Sequence, residues 1–268
     1  TASADAWHDA ARAIMTTDTY PKLAARTAEI EGVEVRIAGF AKGAGMIMPR
    51  MATMLAYLVT DLAVEPALLR RALRGAVGST FNALTIDGET STSDTVLVLA
   101  NGSAGNTPIG VGSPRARAFE RLLADASAEL CEKLARDGEG VTRLAGVSVA
   151  GARSDRDADR VARSVANSAL VKTALFGGDP NWGRVVQAVG AAGVALRPAQ
   201  LAVRIGGVEL LRRGEPCGGA GALRRAERAM KAKQVEIEIS LGRGPGRARI
   251  LTTDLSYEYV RVNAEYTT

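Results

Sequence analysis

The run Lys42-Gly43-Ala44-Gly45-Met46-Ile47-Met48-Pro49-Arg50-Met51-Ala52-Thr53-Met54-Leu55 sets one lysine, two glycines and a proline directly ahead of an Ala-Thr pair. An almost uncharged segment, Met54 to Val59, follows it. A threonine at such a junction can attack the carbonyl just before it and cut its own chain, which frees a hydroxyl nucleophile with an α-amine as its base. That amine has a reference pKa of about 7.7–8.0, close to where a general base is useful. Gly43 and Gly45 permit the backbone angles of a strained turn. Strain at the Ala52–Thr53 peptide favours an N-to-O acyl shift, because the ester relieves it. Lys42 offers positive charge to a developing oxyanion or a substrate carboxylate. The same spacing also reads as a surface turn between two strands, with Thr53 merely the first residue of the second.

Other chemistries find little support. The single histidine, His8, lies in a helical pattern with no triad partner beside it and reads as surface or core filler. No cluster has metal-ligand spacing and no phosphate-cradling loop is present, so neither a metal nor a bound cofactor is expected. Gly43-Ala44-Gly45 lacks the further glycine and helix of a dinucleotide loop. Cys131 and Cys217 have no metal or redox spacing and read as free thiols in a reducing compartment.

The bulk composition sets the frame for these residues. Hydrophobic residues at 47% and charged residues at 24% are ordinary for a globular chain with a sizeable core, filled here by Ala, Val, Leu and Gly because aromatics are only 4%. The net charge of +5 does not mark a nucleic-acid binder, since arginines alternate with acids, as from Arg153 to Arg160. A basic surface suits small carboxylate substrates instead. The longest weakly polar stretch, Val185 to Leu196, is too short to span a bilayer and no signal peptide is visible, so a cytoplasmic protein without a membrane partner is expected. The chain starts at Thr1, almost at once inside a helical pattern, and reads as a fragment or a processed product.

Periodicity and breakers place the elements. Helices are predicted over Ala4 to Met15, Pro66 to about Val77, Pro114 to Arg136, Ser154 to Asn167, Arg184 to Ala192 and near Ala222 to Lys231. Strands are predicted over Val33 to Ala41, Met54 to Thr60, Thr95 to Ala100, Leu144 to Ala150, Leu170 to Phe176, Val235 to Leu241, Arg247 to Thr253 and Tyr257 to Asn263, with a hairpin around Gly206-Gly207. Neighbouring late strands suggest antiparallel pairing, and Arg212 to Gly221 reads as a flexible insert. The fold class that follows is α+β or α/β, a layered sandwich with helices flanking β-sheets.

Several segments together resemble one family. They are Met15-Thr16-Thr17-Asp18-Thr19, Lys42 to Leu55, Asp87 to Thr95, Asp137-Gly138-Glu139-Gly140, Leu170 to Ala174 through Asp179-Pro180-Asn181-Trp182-Gly183-Arg184, and Asn263 to Thr268. The chain is similar to the ornithine acetyltransferases, the bifunctional proteins of arginine biosynthesis. The resemblance implies the fold of the self-cleaving N-terminal-nucleophile aminopeptidases. It also implies cleavage between Ala52 and Thr53, with 1–52 the C-terminal part of an α subunit and 53–268 a β subunit, in an α2β2 assembly. Thr53 is then the nucleophile, and Thr16, Lys42, Thr53, Glu139, Asn263 and Thr268 contact substrate, with Thr19 the alternative to Thr16.

The implied reaction moves an acetyl group from N2-acetylornithine to glutamate through acetyl-Thr53, with acetyl-CoA a further possible donor. The rival readings are an aminopeptidase or amidohydrolase with the same nucleophile, an acyltransferase of specialised metabolism, and a non-catalytic binding protein. For some segments a structural role stands beside the functional one: Glu139 as a turn carboxylate, Asp179 to Gly183 as a turn packing Trp182, and Asp87 to Thr95 as a polar loop satisfying its own backbone. Two departures accompany the resemblance. Arg50 stands where the family carries a small or polar residue. Roughly a hundred or more residues precede this region in the family, including a Thr-Gly pair that forms the oxyanion hole, whose donors are each worth about 10²–10³ in rate.

Overall fold

The structure is a computed structural model that describes residues 3–49 and 53–266. The chain divides into two compact units: one formed by the residues up to Leu84 together with Glu89–Gly138, the other by Thr85–Gly88 and the residues from Glu139 on.

The first unit holds α1 (Ala4–Ala13), β1 (Lys22–Ile30), β2 (Val33–Lys42), β3 (Leu55–Thr60), α2 (Pro66–Ser79), β4 (Thr95–Ala100) and α3 (Ala116–Arg136). Its sheet runs β1-β2-β3-β4. Strands β1 and β2 form a hairpin whose two-residue turn, Glu31-Gly32, has positive φ at both positions, the geometry that matches the twist of paired strands. Strand β3 is antiparallel to β2 and parallel to β4. Pro66 opens α2, where its missing N–H costs nothing. Helix α3 buries Phe119, Leu122, Leu123, Ala126, Leu130 and Leu134, a stripe at helical spacing that packs on β1 and β2.

Pairing fixes where the glycine loop begins and ends. Lys42, the last residue of β2, faces Leu55, the first of β3, so the loop joins adjacent antiparallel strands and Thr53 lies two residues ahead of β3. Ala44, Ile47 and Met54 are essentially unexposed and anchor the loop in the core. Gly43 has φ +144, and a Cβ there would sit 2.8 Å from Ile47 Cδ1. Only glycine meets both conditions.

The second unit holds β5 (Leu144–Ala152), α4 (Asp155–Ala166), α5 (Ala169–Gly177), α6 (Trp182–Ala191), β6 (Ala202–Ile205), β7 (Val208–Arg212), β8 (Glu215–Pro216), α7 (Gly219–Ala229), β9 (Gln234–Ser240), β10 (Gly246–Thr253) and α8 (Tyr257–Glu265). Its sheet runs β10-β5-β9-β6-β7-β8, with α4 packed on β5 and β10 and α6 on β6.

Four expectations change here. Leu170 to Phe176 is helix, not strand: Ser168 accepts from Val171 N at its start, and Gly178, left-handed at φ +70, closes it. Its short apolar run fits either element, and the caps decide. Tyr257 to Asn263 is also helix. Its β-branched and aromatic residues imitate a strand, but Ser256 caps Tyr259 N and Glu258 occupies the first turn. The late strands do not pair with each other; β9 lies parallel and β10 antiparallel to β5, one on each side of it. The Arg212 to Gly221 stretch is ordered by the β7–β8 pairing and by Cys217 N donating to Leu210 O.

Candidate active site

In the first unit, three of the expected residues come together around the start of β3. Thr53 is half-buried, and its hydroxyl donates to Met46 Sδ at 3.4 Å. Lys42 is 7% exposed and its Nζ lies 3.5 Å from Thr16 Oγ1. A buried cation beside a hydroxyl forms a receptor for an anionic group.

Asp94, absent from the expected set, holds the nitrogen of Thr53. Its Oδ1 accepts from Thr53 N and, at 2.9 Å, from Met54 N. The sheet puts it there. Leu55 pairs with Thr95 in the parallel β3–β4 ladder, and Thr95 N donates to Met54 O at 2.9 Å. The residue before β4 therefore sits beside the residues before β3. Asp94 is 7% exposed, and its Oδ2 is buried without a hydrogen-bond partner among the described residues. Burial raises its carboxyl above the usual range, while the Met54 N–H and the Lys42 ammonium pull the other way.

Behind these residues lies a buried ion network. Lys22, fully buried, bonds Asp18 Oδ1 and Asp137 Oδ2, each at 2.5 Å. Asp18 also accepts from Gly43 N at 2.7 Å and Thr16 N at 3.1 Å, so one carboxylate fixes both Thr16 and the residue after Lys42. Thr19 donates through its N–H and hydroxyl to Asp137, which makes it a part of this network rather than a partner of Lys42. Burial pushes the Asp18 carboxyl up, but the Gly43 N–H, Lys22 and the Thr16 N–H overcome it and hold the group below the ordinary range. A buried cation with two carboxylates needs such full pairing to be tolerated.

The second unit brings Glu139 and Asn263 together. Asn263 Nδ2 donates to Glu139 Oε2 at 2.9 Å and to Tyr259 O at 3.0 Å. Gly140, at φ +67, lets α8 begin against it: a Cβ would meet Tyr259 N at 2.4 Å. Ser256 Oγ donates to Gly140 O at 2.6 Å and at the same time caps α8. The Asp-Gly-Glu-Gly spacing thus presents Glu139 to Asn263, in the last turn of α8.

Other expected segments take structural roles. Asn181 caps α6 through Arg184 N at 3.1 Å and bonds Asp179 at 3.0 Å, with Trp182 half-buried behind it. Ser91 accepts from Ser93 N, as a self-satisfied loop does. His8 is exposed on α1. Burial pushes the Cys131 thiol up to about 12, so it stays protonated and inert. Arg50, Ala52 and Thr268 lie outside the described residues, so the peptide ahead of Thr53 and the terminal contact have no geometry here. Among the described residues no group of His, Cys, Asp or Glu could hold a metal ion, and no helix is long and apolar enough to cross a membrane.

Asp94 carried a weak signal in the sequence, as the acid immediately before an apolar strand. The Asp18–Lys22–Asp137 network carried less. Asp18 and Lys22 are four residues apart, but Asp137 lies 115 residues beyond Lys22, and only pairing in space reveals it.

Helices flanking two sheets, with a threonine at the head of a strand, define an N-terminal-nucleophile hydrolase-like fold. A crystal structure of the arginine biosynthesis bifunctional protein argJ from Bacillus halodurans is similar at a TM-score of 0.74 and 37% identity, over 78% of this chain and 98% of that one. The model of the ArgJ family matches residues 1–268, and the chain belongs to the ArgJ family. Proteins named arginine biosynthesis bifunctional protein ArgJ are 49% identical in Geobacter sulfurreducens, over 96% of this chain and 65% of that protein. The corresponding figures in Symbiobacterium thermophilum are 48%, 97% and 64%. The chain spans slightly less than two thirds of the length of these relatives.

Proposed function

We propose that the protein of which this chain is a part is a cytoplasmic acyltransferase of arginine biosynthesis. It cuts itself between Ala52 and Thr53 and then moves an acetyl group from N2-acetylornithine to glutamate. The observation that carries this reading is Thr53: a half-buried threonine at a loop-to-strand junction, its nitrogen seated on a carboxylate, beside a buried lysine.

In this reading the neutral α-amine of Thr53 takes the proton of its own Oγ, and Oγ attacks the acetyl carbonyl of N2-acetylornithine. The C–N bond breaks, the proton passes to the departing ornithine amine, and an acetyl ester remains on Thr53. The amine of glutamate attacks that ester to give N-acetylglutamate and restores the hydroxyl. Lys42 and Thr16 receive a substrate carboxylate; Glu139 takes the cationic amine of the donor, and Asn263 and Thr268 contact substrate polar groups. Acetyl-CoA serves as a second acetyl donor, and no bound metal or cofactor takes part.

Cutting need not separate the pieces, which we assign to an α2β2 assembly. Residues 1–52 supply β1 and β2, and β2 remains hydrogen-bonded to β3 from Lys42↔Leu55 to Ile37↔Thr60.

The test is to incubate the protein with N2-acetylornithine and isotopically labelled glutamate. Labelled N-acetylglutamate is expected. Release of acetate without it would make the protein a hydrolase with the same nucleophile.

A further inference from the structure

We infer that Asp94 is the positioning residue for the α-amine of Thr53, so that hydroxyl, amine and carboxylate of two residues form a nucleophile–base–acid relay. The inference rests on the reading of Thr53 as nucleophile.

In hydroxyl-based acyl transfer the base is commonly oriented by a third group, a carboxylate that stabilises the cation formed when the base takes a proton. Here the base is the nitrogen of Thr53, and the carboxylate that meets it is Asp94. Two further observations make Asp94 more than a loop contact. Its second acceptor bond, from Met54 N at 2.9 Å, and the β4 ladder beginning at Thr95 leave the carboxylate no freedom to follow a moving amine; the amine must come to it. Its Oδ2 is buried with no hydrogen-bond partner among the described residues, an arrangement that costs stability and calls for an explanation.

The step balances simply. The proton leaves Thr53 Oγ for the amine as Oγ bonds the acetyl carbon, and the ammonium so formed faces Asp94. When the C–N bond of the donor breaks, the same proton leaves with the ornithine amine. Asp94 gives and takes no proton; it favours the ammonium that exists only between the two transfers. Lys42 is the other charge acting on Asp94 among the described residues, and it limits how strongly the carboxylate holds the amine protonated at rest. Among the described residues, neither oxygen of Asp94 is hydrogen-bonded to the Asp18–Lys22–Asp137 network.

The experiment uses the full-length protein with Asp94→Asn, Asp94→Glu and wild type. The extent of cutting is read by intact mass, and kcat/KM for acetyl transfer is followed against pH on the cut material. Asn keeps an acceptor for the nitrogen and removes the charge. The expected result is a fall in kcat of about 10²-fold, the scale of acid–base assistance, with KM little changed and the acidic limb of the profile moved to lower pH; Glu retains an intermediate rate. A cut Asp94→Asn protein with the wild-type rate and an unmoved limb overturns the inference.

Where Asp94→Asn stays whole, the rate of cutting replaces the rate of transfer. A folded, uncut Asn variant beside a slowly cutting Glu variant supports the role at the Thr53 nitrogen. Loss of cutting in both together with a collapse of Tm shows Asp94 to be a fold contact and overturns it. A wild-type protein that is itself never cut refutes instead the reading of Thr53 beneath the inference.

Discussion

The neighbourhood of Thr53 in the first unit and the Glu139–Asn263 pair in the second are built on opposite principles. Around Thr53 the polar groups are interior: Asp94, Lys42, Asp18, Lys22 and Asp137 are all buried, and each is tied to a strand, a loop amide or another charge. Asn263 is exposed and Glu139 half-exposed, and the pair rests on one side-chain bond and a helix carbonyl. Interior charges hold position at a cost in desolvation, and that cost is justified where atoms must meet within a bond length. Surface groups keep their hydration and suit the recognition of charged ends that arrive from water.

The largest effect expected from breaking this contrast is at Thr53, the proposed nucleophile. Thr53→Ala should leave the chain whole, by intact mass, and lower acetyl transfer by at least about 10⁴-fold. The next tests the interior scaffold. Lys22→Met leaves two carboxylates facing each other with no cation, and should cost about 3–5 kcal/mol in chemical denaturation. A loss below about 1 kcal/mol, the scale of a surface pair, would show that the network is not what fixes Thr16 and Gly43.

A second buried lysine sharpens the comparison. Among the described residues Lys172 hydrogen-bonds to neutral oxygens, Thr252 Oγ1, Thr253 O and Thr253 Oγ1, and burial pulls its pKa down to about 8 against the opposing pull of Asp254 and Asp87. Between about pH 8 and 10.4 the unfolded chain binds the proton that the folded chain has lost, so stability from this site rises with pH by up to about 3 kcal/mol. Denaturation of wild type and Lys172→Met across that range should show the gap moving in the wild type's favour as pH rises; a gap that does not move contradicts the assignment. Asp18 acts at the other end of the scale. Its lowered carboxyl contributes stability that is complete above about pH 4 and is lost as pH falls through its folded value.

The smallest effect belongs to the surface pair. Glu139→Gln and Asn263→Ala should each raise KM about tenfold and change stability by less than about 1 kcal/mol. A loss in kcat as large as at Thr53 would erase the distinction between the two regions.

Much of this was legible in the sequence, and the exceptions share a cause. The β2–loop–β3 run could be read from Lys42 to Thr60 because glycine, proline and an apolar strand are local signals. Helix α3 could be read from its stripe of Phe119, Leu123, Leu130 and Leu134. Helices α5 and α8 were misread because Leu170 to Phe176 is too short to display a period, and because Tyr257 to Val262 has strand-favouring side chains. In both cases a serine cap decided the element. Strand β1 escaped notice because its middle, Ala25 to Thr27, is exposed and carries Arg26 and Thr27 in place of an alternating apolar pattern. Asp94 could not be assigned without the parallel β3–β4 ladder, which connects residues that no local spacing relates.

Sequencing the N-termini of the purified protein tests the central claim most directly. The prediction is a polypeptide that starts at Thr53, in equal amount to one that carries the original N-terminus. A preparation that is a single uncut polypeptide and still transfers acetyl groups from N2-acetylornithine to glutamate would contradict it.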